Sequence, residues 1–145
     1  MLLVVDVGNS QTVAGLFSGG ELLHDWRIST IRRTTVDELA ADHDKILQLR
    51  GGSLTEVEDV VVASVVPELT VAYQALADRY LDRAAVVVGP GVRTGMPLLV
   101  DNPQEVGADR IANAVAAHAL YGGPCVVVDF GTATTLDVVS AEGEF

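Results

Sequence analysis

The chain has 145 residues, of which 49% are apolar and 20% charged. This balance supports about one ordinary domain with a buried core and excludes an intrinsically disordered chain. A net charge of −11 repels nucleic-acid phosphates and anionic lipids, and Arg32-Arg33 is the one basic patch that stands out. A single cysteine excludes an intrachain disulfide, and no membrane span or signal peptide is recognisable. We therefore expect a soluble cytoplasmic protein without nucleic-acid or membrane partners.

The first 28 residues predict a three-stranded antiparallel meander. An apolar run ends at Asp6, and the turn formers Gly8-Asn9-Ser10 follow it. A second run covers residues 12–17, and a third follows Gly19-Gly20 up to residue 28. Short apolar runs separated by such turn formers are typical of hairpins.

Helices and strands alternate in the rest of the chain. The apolar patterns predict helices and strands in the order helix 36–49, strand 60–63, helix 67–81, strand 85–88 and helix 108–120. This alternation predicts that the later strands join the sheet in parallel. Residues 89–106, rich in proline and glycine, predict a long functional loop.

The opening of the chain recurs near its end. Residues 126–135 align with residues 3–12 without a gap, and the alignment matches the aspartate, the glycine and the last threonine. This repeat predicts a first domain over residues 1–122. Residues 123–145 would be the opening hairpin of a second, equivalent domain whose remainder is absent. We therefore expect the native protein to be longer.

Both copies of the repeat end an apolar strand on an aspartate, with a glycine two residues later. Backbone amides and short hydroxyls in such a bend can bind phosphate oxygens, and glycine lets a ligand approach the main chain. An aspartate repels phosphate, so its natural role is to hold a cation that bridges phosphates. One such bend could be a plain hairpin turn, but two with the acid in the same place favour a nucleotide site.

The duplicated bends resemble those of the acetate and sugar kinase, heat-shock chaperone and actin superfamily. The type III pantothenate kinases within it are the nearer resemblance, carried by four ordered segments: Asp6–Ser10, Gly89–Gly95, Asp101–Arg110 and Asp129–Thr135. This resemblance spans essentially the whole chain. It implies an α/β fold of the ribonuclease H-like or actin-like kind, duplicated, with a mixed five-stranded sheet of three antiparallel strands and then parallel ones. Helices would flank the sheet, and the second domain would be truncated.

The resemblance also implies a reaction, which is the ATP-dependent phosphorylation of pantothenate to 4′-phosphopantothenate at the start of coenzyme A biosynthesis. Asp109 would be the proton acceptor, and Asp129 would bind a monovalent cation, potassium or ammonium, with magnesium on the phosphates. ATP would contact Asp6, Val7, Gly8, Asn9, Ser10, Gln11, Thr12, Val13 and Thr132. Pantothenate would contact Val92, Gly107, Ala108, Asp109 and Arg110. A homodimer is also implied.

The segment around Asp109 can be argued from its chemistry as well. A primary alcohol attacks phosphorus poorly unless a carboxylate takes its proton, and Asp109 follows a glycine-rich loop at a helix start. Arg110 beside it could pair with an anion such as the pantothenate carboxylate. The alternative is that Asp109 only caps the helix or complements its dipole.

Some positions and two rival functions remain open. Many relatives carry an aromatic residue at the position of Val92, and valine offers less contact area and no hydroxyl. Asp101 and Asn102 fit a turn before Pro103 as well as a site role. The rivals to a kinase are a non-catalytic nucleotide-binding protein of the same fold and a phosphate hydrolase of a related two-domain fold.

Overall fold

The computed structural model describes residues 1–89 and 91–145. The chain divides into two compact units, Met1–Val87 and Val88–Phe145. The boundary predicted between residues 122 and 123 separates two repeated domains, whereas the two units are separated by compactness. The predicted boundary therefore stays a prediction. Pro90, the second residue of the family segment Gly89–Gly95, lies outside the described residues.

The first unit is built on a five-stranded sheet of order β3-β2-β1-β4-β5. The strands are β1 Leu2–Val7, β2 Gln11–Ser18, β3 Glu21–Ser29, β4 Asp59–Ser64 and β5 Val86–Val88. Strands β1, β2 and β3 form an antiparallel meander, and β4 pairs with β1 in parallel. The predicted mixed sheet is therefore confirmed.

Two helices cover one face of this sheet. They are α1 Val36–Gln48 and α2 Pro67–Leu81, with a short 3₁₀ turn at Leu54–Glu56 between them. Helix α1 begins at a capping box, in which the Thr35 hydroxyl accepts from the Glu38 N–H and the Glu38 carboxylate accepts from the Thr35 N–H. Alternate residues of β1, Leu3, Val5 and Val7, are completely buried in one apolar cluster with residues of both helices. Period-two burial of this kind follows from the pleat of a strand.

The second unit is a helix packed on a hairpin. After a 3₁₀ turn at Pro103–Glu105, helix α3 runs over Ala108–Tyr121 and precedes β6 Cys125–Phe130 and β7 Thr134–Val139. The two strands pair antiparallel as a separate two-stranded sheet. A small apolar cluster of Met96, Ala114 and Val139 forms its core. Among the described residues, no helix is both long and apolar enough to cross a membrane.

The two hairpins differ by one residue in their turns. In the first, Val7 opposes Thr12, so four residues form the turn, whereas Phe130 opposes Thr134 and only three residues lie between them. The gap-free alignment is therefore right for the strand and the glycine but wrong after the turn. Because side chains alternate between faces, Thr12 lies on the opposite face from Asp6, whereas Thr135 opposes Asp129 on the same face.

Candidate active site

The first bend, Gly8–Ser10, joins β1 to β2 and needs glycine at its start. The Gly8 N–H donates to the Gln11 carbonyl at 3.0 Å. A Cβ built on Gly8 would lie 3.0 Å from the same carbonyl oxygen, so a larger residue would push the two chain segments apart. The glycine predicted to let a ligand approach the main chain is thus required by the turn itself.

Thr30, just after β3, stabilises this bend with two hydrogen bonds. Its N–H donates to the Ser10 carbonyl at 3.0 Å, and its hydroxyl donates to the Gly8 carbonyl at 2.8 Å. Since that hydroxyl proton is used, the Thr12 hydroxyl must donate in the 2.9 Å contact between the two threonine oxygens. Thr12 is 2% exposed. The bend is therefore fixed at two carbonyls by one residue that the sequence did not single out.

The exposed side of the bend carries polar groups. Asp6, Asn9, Ser10 and Gln11 are exposed, whereas Val7 is buried and Val13 is half-buried. The Arg32 guanidinium donates to the Asn9 side-chain oxygen at 3.1 Å, which brings a positive charge to the rim. The buried side chain of Val7 faces the core, so any ATP contact there would use the backbone. Carboxylate, amide and hydroxyl oxygens beside a cation are the groups that a phosphate with its metal ion needs.

The second bend has the same beginning. The Gly131 N–H donates to the Ala133 carbonyl at 3.1 Å, and Thr132 at the tip is exposed. Asp129 is half-buried, and its Oδ2 accepts from the Asn113 side-chain amide at 3.3 Å. Its Oδ1 lies 3.9 Å from the position that a Cβ would take on Gly131, so this oxygen faces the bend. One oxygen of this carboxylate is thus held by Asn113, and the other faces the bend.

Helix α3 begins immediately before the expected proton acceptor. Gly107 is its N-cap residue and has no side chain to cap with; Ala108 is buried. Asp109 is therefore not the cap, but it does lie in the first turn, and its Oδ1 accepts from the Arg110 N–H at 2.8 Å. Asp109 does not occupy the N-cap position, but its carboxylate accepts a first-turn N–H, so a role in stabilising the helix start is compatible with this position.

Arg110 is paired inside the second unit. Its Nε donates to Asp137 Oδ1 at 2.8 Å, and its Nη2 contacts the same oxygen. This hydrogen bond raises the pKa of Arg110, and the guanidinium also lies 5.5 Å from the centre of the Phe145 ring. From the sequence we expected Arg110 to pair with a substrate carboxylate. In the structure it already pairs with the carboxylate of Asp137.

Val92 borders a separate cavity of about 250 Å³ in the second unit. The lining mixes apolar groups with Thr94 and Gln104, and it includes Ile111 on helix α3. Val92 is 40% exposed, so a ligand in this cavity could touch it.

Asn102 donates to the Glu105 carboxylate at 2.6 Å across the 3₁₀ turn. This bond accounts for Asn102 as a turn residue.

The predicted residues fall into two groups. Residues 6–13 belong to the first unit, and Val92, Gly107–Arg110, Asp129 and Thr132 belong to the second. Within the second unit, α3 is tied to both strands of the hairpin through Arg110 and Asn113. Over residues 1–89 and 91–145, the structure contains no group of three or more His, Cys, Asp or Glu side chains that could hold a metal ion.

Sequence reasoning missed three residues that support the site: Thr30, Asn113 and Asp137. Asn113 follows Asp109 by four residues on one helix, so helical spacing could have placed both on the same side. Asp137 is an acid in an apolar strand, which is itself a signal. Thr30 gave no signal, because its bonds join residues about 20 positions apart.

Solved structures place the fold in a known class. A structure of a putative N-acetylglucosamine kinase from Porphyromonas gingivalis matches with a TM-score of 0.53 at 18% identity, over 98% of this chain and 45% of that one. At this identity the likeness shows the fold alone. The α/β, actin-like fold is the one expected from the sequence.

Sequence comparison gives the family. The family model described as type III pantothenate kinase matches residues 2–145. Proteins of that name from Syntrophotalea carbinolica and Moorella thermoacetica are 51% and 49% identical over all of this chain and 57% of their own length. A third from Rhodococcus erythropolis is 53% identical over all of this chain and 54% of its own length. The chain belongs to the type III pantothenate kinase family, and it spans somewhat more than half the length of these relatives.

Proposed function

We propose that the whole protein phosphorylates pantothenate with ATP, giving 4′-phosphopantothenate, the first step of coenzyme A biosynthesis. The observation that carries this proposal is the family match along residues 2–145, with relatives of about 50% identity that bear this name. The two bends and the acid at the start of α3 supply groups of the kind that the reaction needs.

In this proposal the first bend binds the phosphates of ATP. Gly8 permits close approach, and the Thr30 braces keep its carbonyls from moving. Asp6 and the exposed side chains of Asn9, Ser10 and Gln11 face solvent, where a magnesium ion and phosphate oxygens could meet them. When bound, magnesium would neutralise charge on the transferred phosphoryl group. Thr132 of the second bend would add a hydroxyl contact to ATP, and Asp129 would hold a potassium or ammonium ion.

The chemical step requires a proton acceptor beside the substrate alcohol. We assign this role to Asp109, in the first turn of α3, where one of its oxygens is fixed by the Arg110 N–H. The proton leaves the primary hydroxyl for the carboxylate while the hydroxyl oxygen forms a bond to the γ-phosphorus and the bond to ADP breaks. Gly107, Ala108 and Arg110 would contact pantothenate, with Arg110 facing the substrate carboxylate, and Val92 would contact it from the cavity that also borders Ile111 of α3.

A coupled assay of ADP release, with and without pantothenate, tests this proposal on the whole protein. We expect ADP release that depends on pantothenate and a product heavier by one phosphate group in mass spectrometry. ADP release of equal rate without pantothenate would indicate a hydrolase, and nucleotide binding without release would indicate a non-catalytic protein. Either outcome contradicts the proposal.

Assembly and location follow as predictions from the family. We expect a cytoplasmic homodimer, which sedimentation of the whole protein and fractionation of cells would measure. The exposed Leu120 and Tyr121 at the end of α3 are apolar surface that a dimer contact could bury.

A further inference from the structure

Asp137 is a buried acid in an apolar strand. It lies between Leu136 and Val138 in β7, and its side chain is 1% exposed. Removing a carboxylate from water is unfavourable, and apolar residues of similar volume often replace buried ion pairs without loss of stability. Packing alone therefore does not explain an aspartate at this position.

The pairing of Asp137 with Arg110 is one-sided. The Nε and Nη2 groups of the guanidinium both meet Oδ1, instead of meeting the two carboxylate oxygens separately. Among the residues that the structure describes, Asp137 Oδ2 is buried without a hydrogen-bond partner. The carboxylate is thus a fixed anchor for one edge of the guanidinium.

Arg110 keeps another edge for a second anion. Its Nε proton and one Nη2 proton face Asp137, so the two protons of Nη1 and the second proton of Nη2 remain for a further acceptor. The Arg110 side chain is 35% exposed, and the Phe145 ring packs against its guanidinium. An arginine held by a buried acid and an aromatic ring loses less entropy when it binds an anion than a mobile one does.

We infer that Asp137 is a positioning residue for recognition of the acceptor substrate. It fixes Arg110, the residue next to Asp109, so that the remaining guanidinium protons meet the carboxylate of the acceptor. This inference rests on the proposed function, because it takes pantothenate as the anionic acceptor. Asp137 itself touches neither substrate.

The test compares Asp137→Asn with the unchanged whole protein in steady-state kinetics. The amide keeps the shape of the side chain but loses the charge that orients Arg110. We expect KM for pantothenate to rise about tenfold or more, while KM for ATP changes less than about twofold. A general loosening of the second unit would instead raise both KM values or lower kcat alone, and that result would overturn the inference.

A double-mutant cycle separates positioning from direct effects. Arg110→Met removes the guanidinium, so adding Asp137→Asn in that background should change KM for pantothenate by less than about twofold. If the two substitutions instead changed KM for pantothenate independently, so that their effects multiplied in the double variant, the inference would be contradicted. If Asp137→Asn does not fold, Arg110→Lys serves instead: the charge remains but the fork is lost, and the same selective rise in pantothenate KM is expected. An unchanged KM would overturn the inference.

The control is the exposed ion pair between Arg79 and Asp37 in the first unit, joined at 2.9 Å. Asp37→Asn also removes a carboxylate from an arginine, but both side chains are more than half exposed. Both KM values should stay unchanged. If the unmodified protein makes no phosphopantothenate, the proposed function fails; if it does and Asp137→Asn behaves like the control, only the positioning role fails.

Discussion

At the scale of single residues, Thr30 connects the first bend to the end of the meander. Its hydroxyl serves both the Gly8 carbonyl and the buried Thr12 hydroxyl. Thr30→Val leaves that hydroxyl without its partner, so we expect unfolding free energy to fall by about 1–3 kcal/mol. In the whole protein KM for ATP should rise, because the bend is no longer braced. Urea denaturation and kinetics measure the two effects, and Thr30→Ser, which keeps the hydroxyl, should show neither.

His43 sets a pH limit on the stability of the first unit. Trp26 Nε1 donates to His43 Nδ1 at 3.1 Å, so the ring proton is on Nε2, which contacts the Tyr73 hydroxyl at 2.9 Å. Burial lowers the pKa of His43 from 6.5 to about 4. The unfolded chain therefore binds the proton first: stability from this group is complete above about pH 6.5 and falls between 6.5 and 4.

The loss from this histidine should reach about 3 kcal/mol near pH 4. Denaturation curves between pH 7 and 4 would measure it as a slope that His43→Gln removes and that His24→Gln keeps. An identical slope in wild type and His43→Gln would contradict the assignment. Asp42 is the charged neighbour that opposes the lowering, so it limits the size of the effect.

At the scale of elements, the capping box at the start of α1 makes a measurable contribution to the free energy of unfolding. Thr35 and Glu38 satisfy each other's backbone N–H groups. Thr35→Ala should lower the free energy of unfolding by about 1 kcal/mol, because one N–H at the helix start loses its acceptor. Chemical denaturation measures this, with Thr34→Ala outside the capping box as the control. Equal losses from both variants would mean that the box adds nothing.

The elements themselves were largely predictable from the sequence. Apolar runs with glycine turns gave the meander, and Pro67 and the glycines after residue 121 marked helix ends where the structure has them. The turn of the second hairpin was not predictable, because its one-residue difference from the first leaves the motif almost unchanged. The pair Arg110 and Asp137 was also missed, because 27 residues separate them and only folding brings them together.

At the scale of the whole molecule, the second hairpin has an apolar face that the described chain leaves exposed. Val126, Val128 and Phe130 are 46–83% exposed. By the repeat they correspond to Leu3, Val5 and Val7, which lie fully buried in one cluster with residues of two helices. We expect equivalent helices to cover this face in the whole protein.

Substituting one cross-strand pair tests that expectation. Val126 and Val138 oppose each other on the exposed face. Changing both to threonine should reduce self-association of the 145-residue chain, because less apolar surface meets water. In the whole protein the same change should lower the melting temperature, because hydroxyls would be buried there. Sedimentation should therefore show less self-association of the 145-residue chain, and thermal melting should show a loss of stability in the whole protein. An unchanged melting temperature of the whole protein would contradict the expectation.

The proposed phosphoryl transfer depends on Asp109 taking the proton of the acceptor alcohol. The measurement is the turnover of Asp109→Asn in the whole protein, together with ATP affinity by calorimetry. Because the amide cannot accept the proton, turnover should fall about a hundredfold or more while ATP affinity stays within about twofold. Turnover equal to that of the unmodified enzyme would contradict the role of Asp109 as proton acceptor.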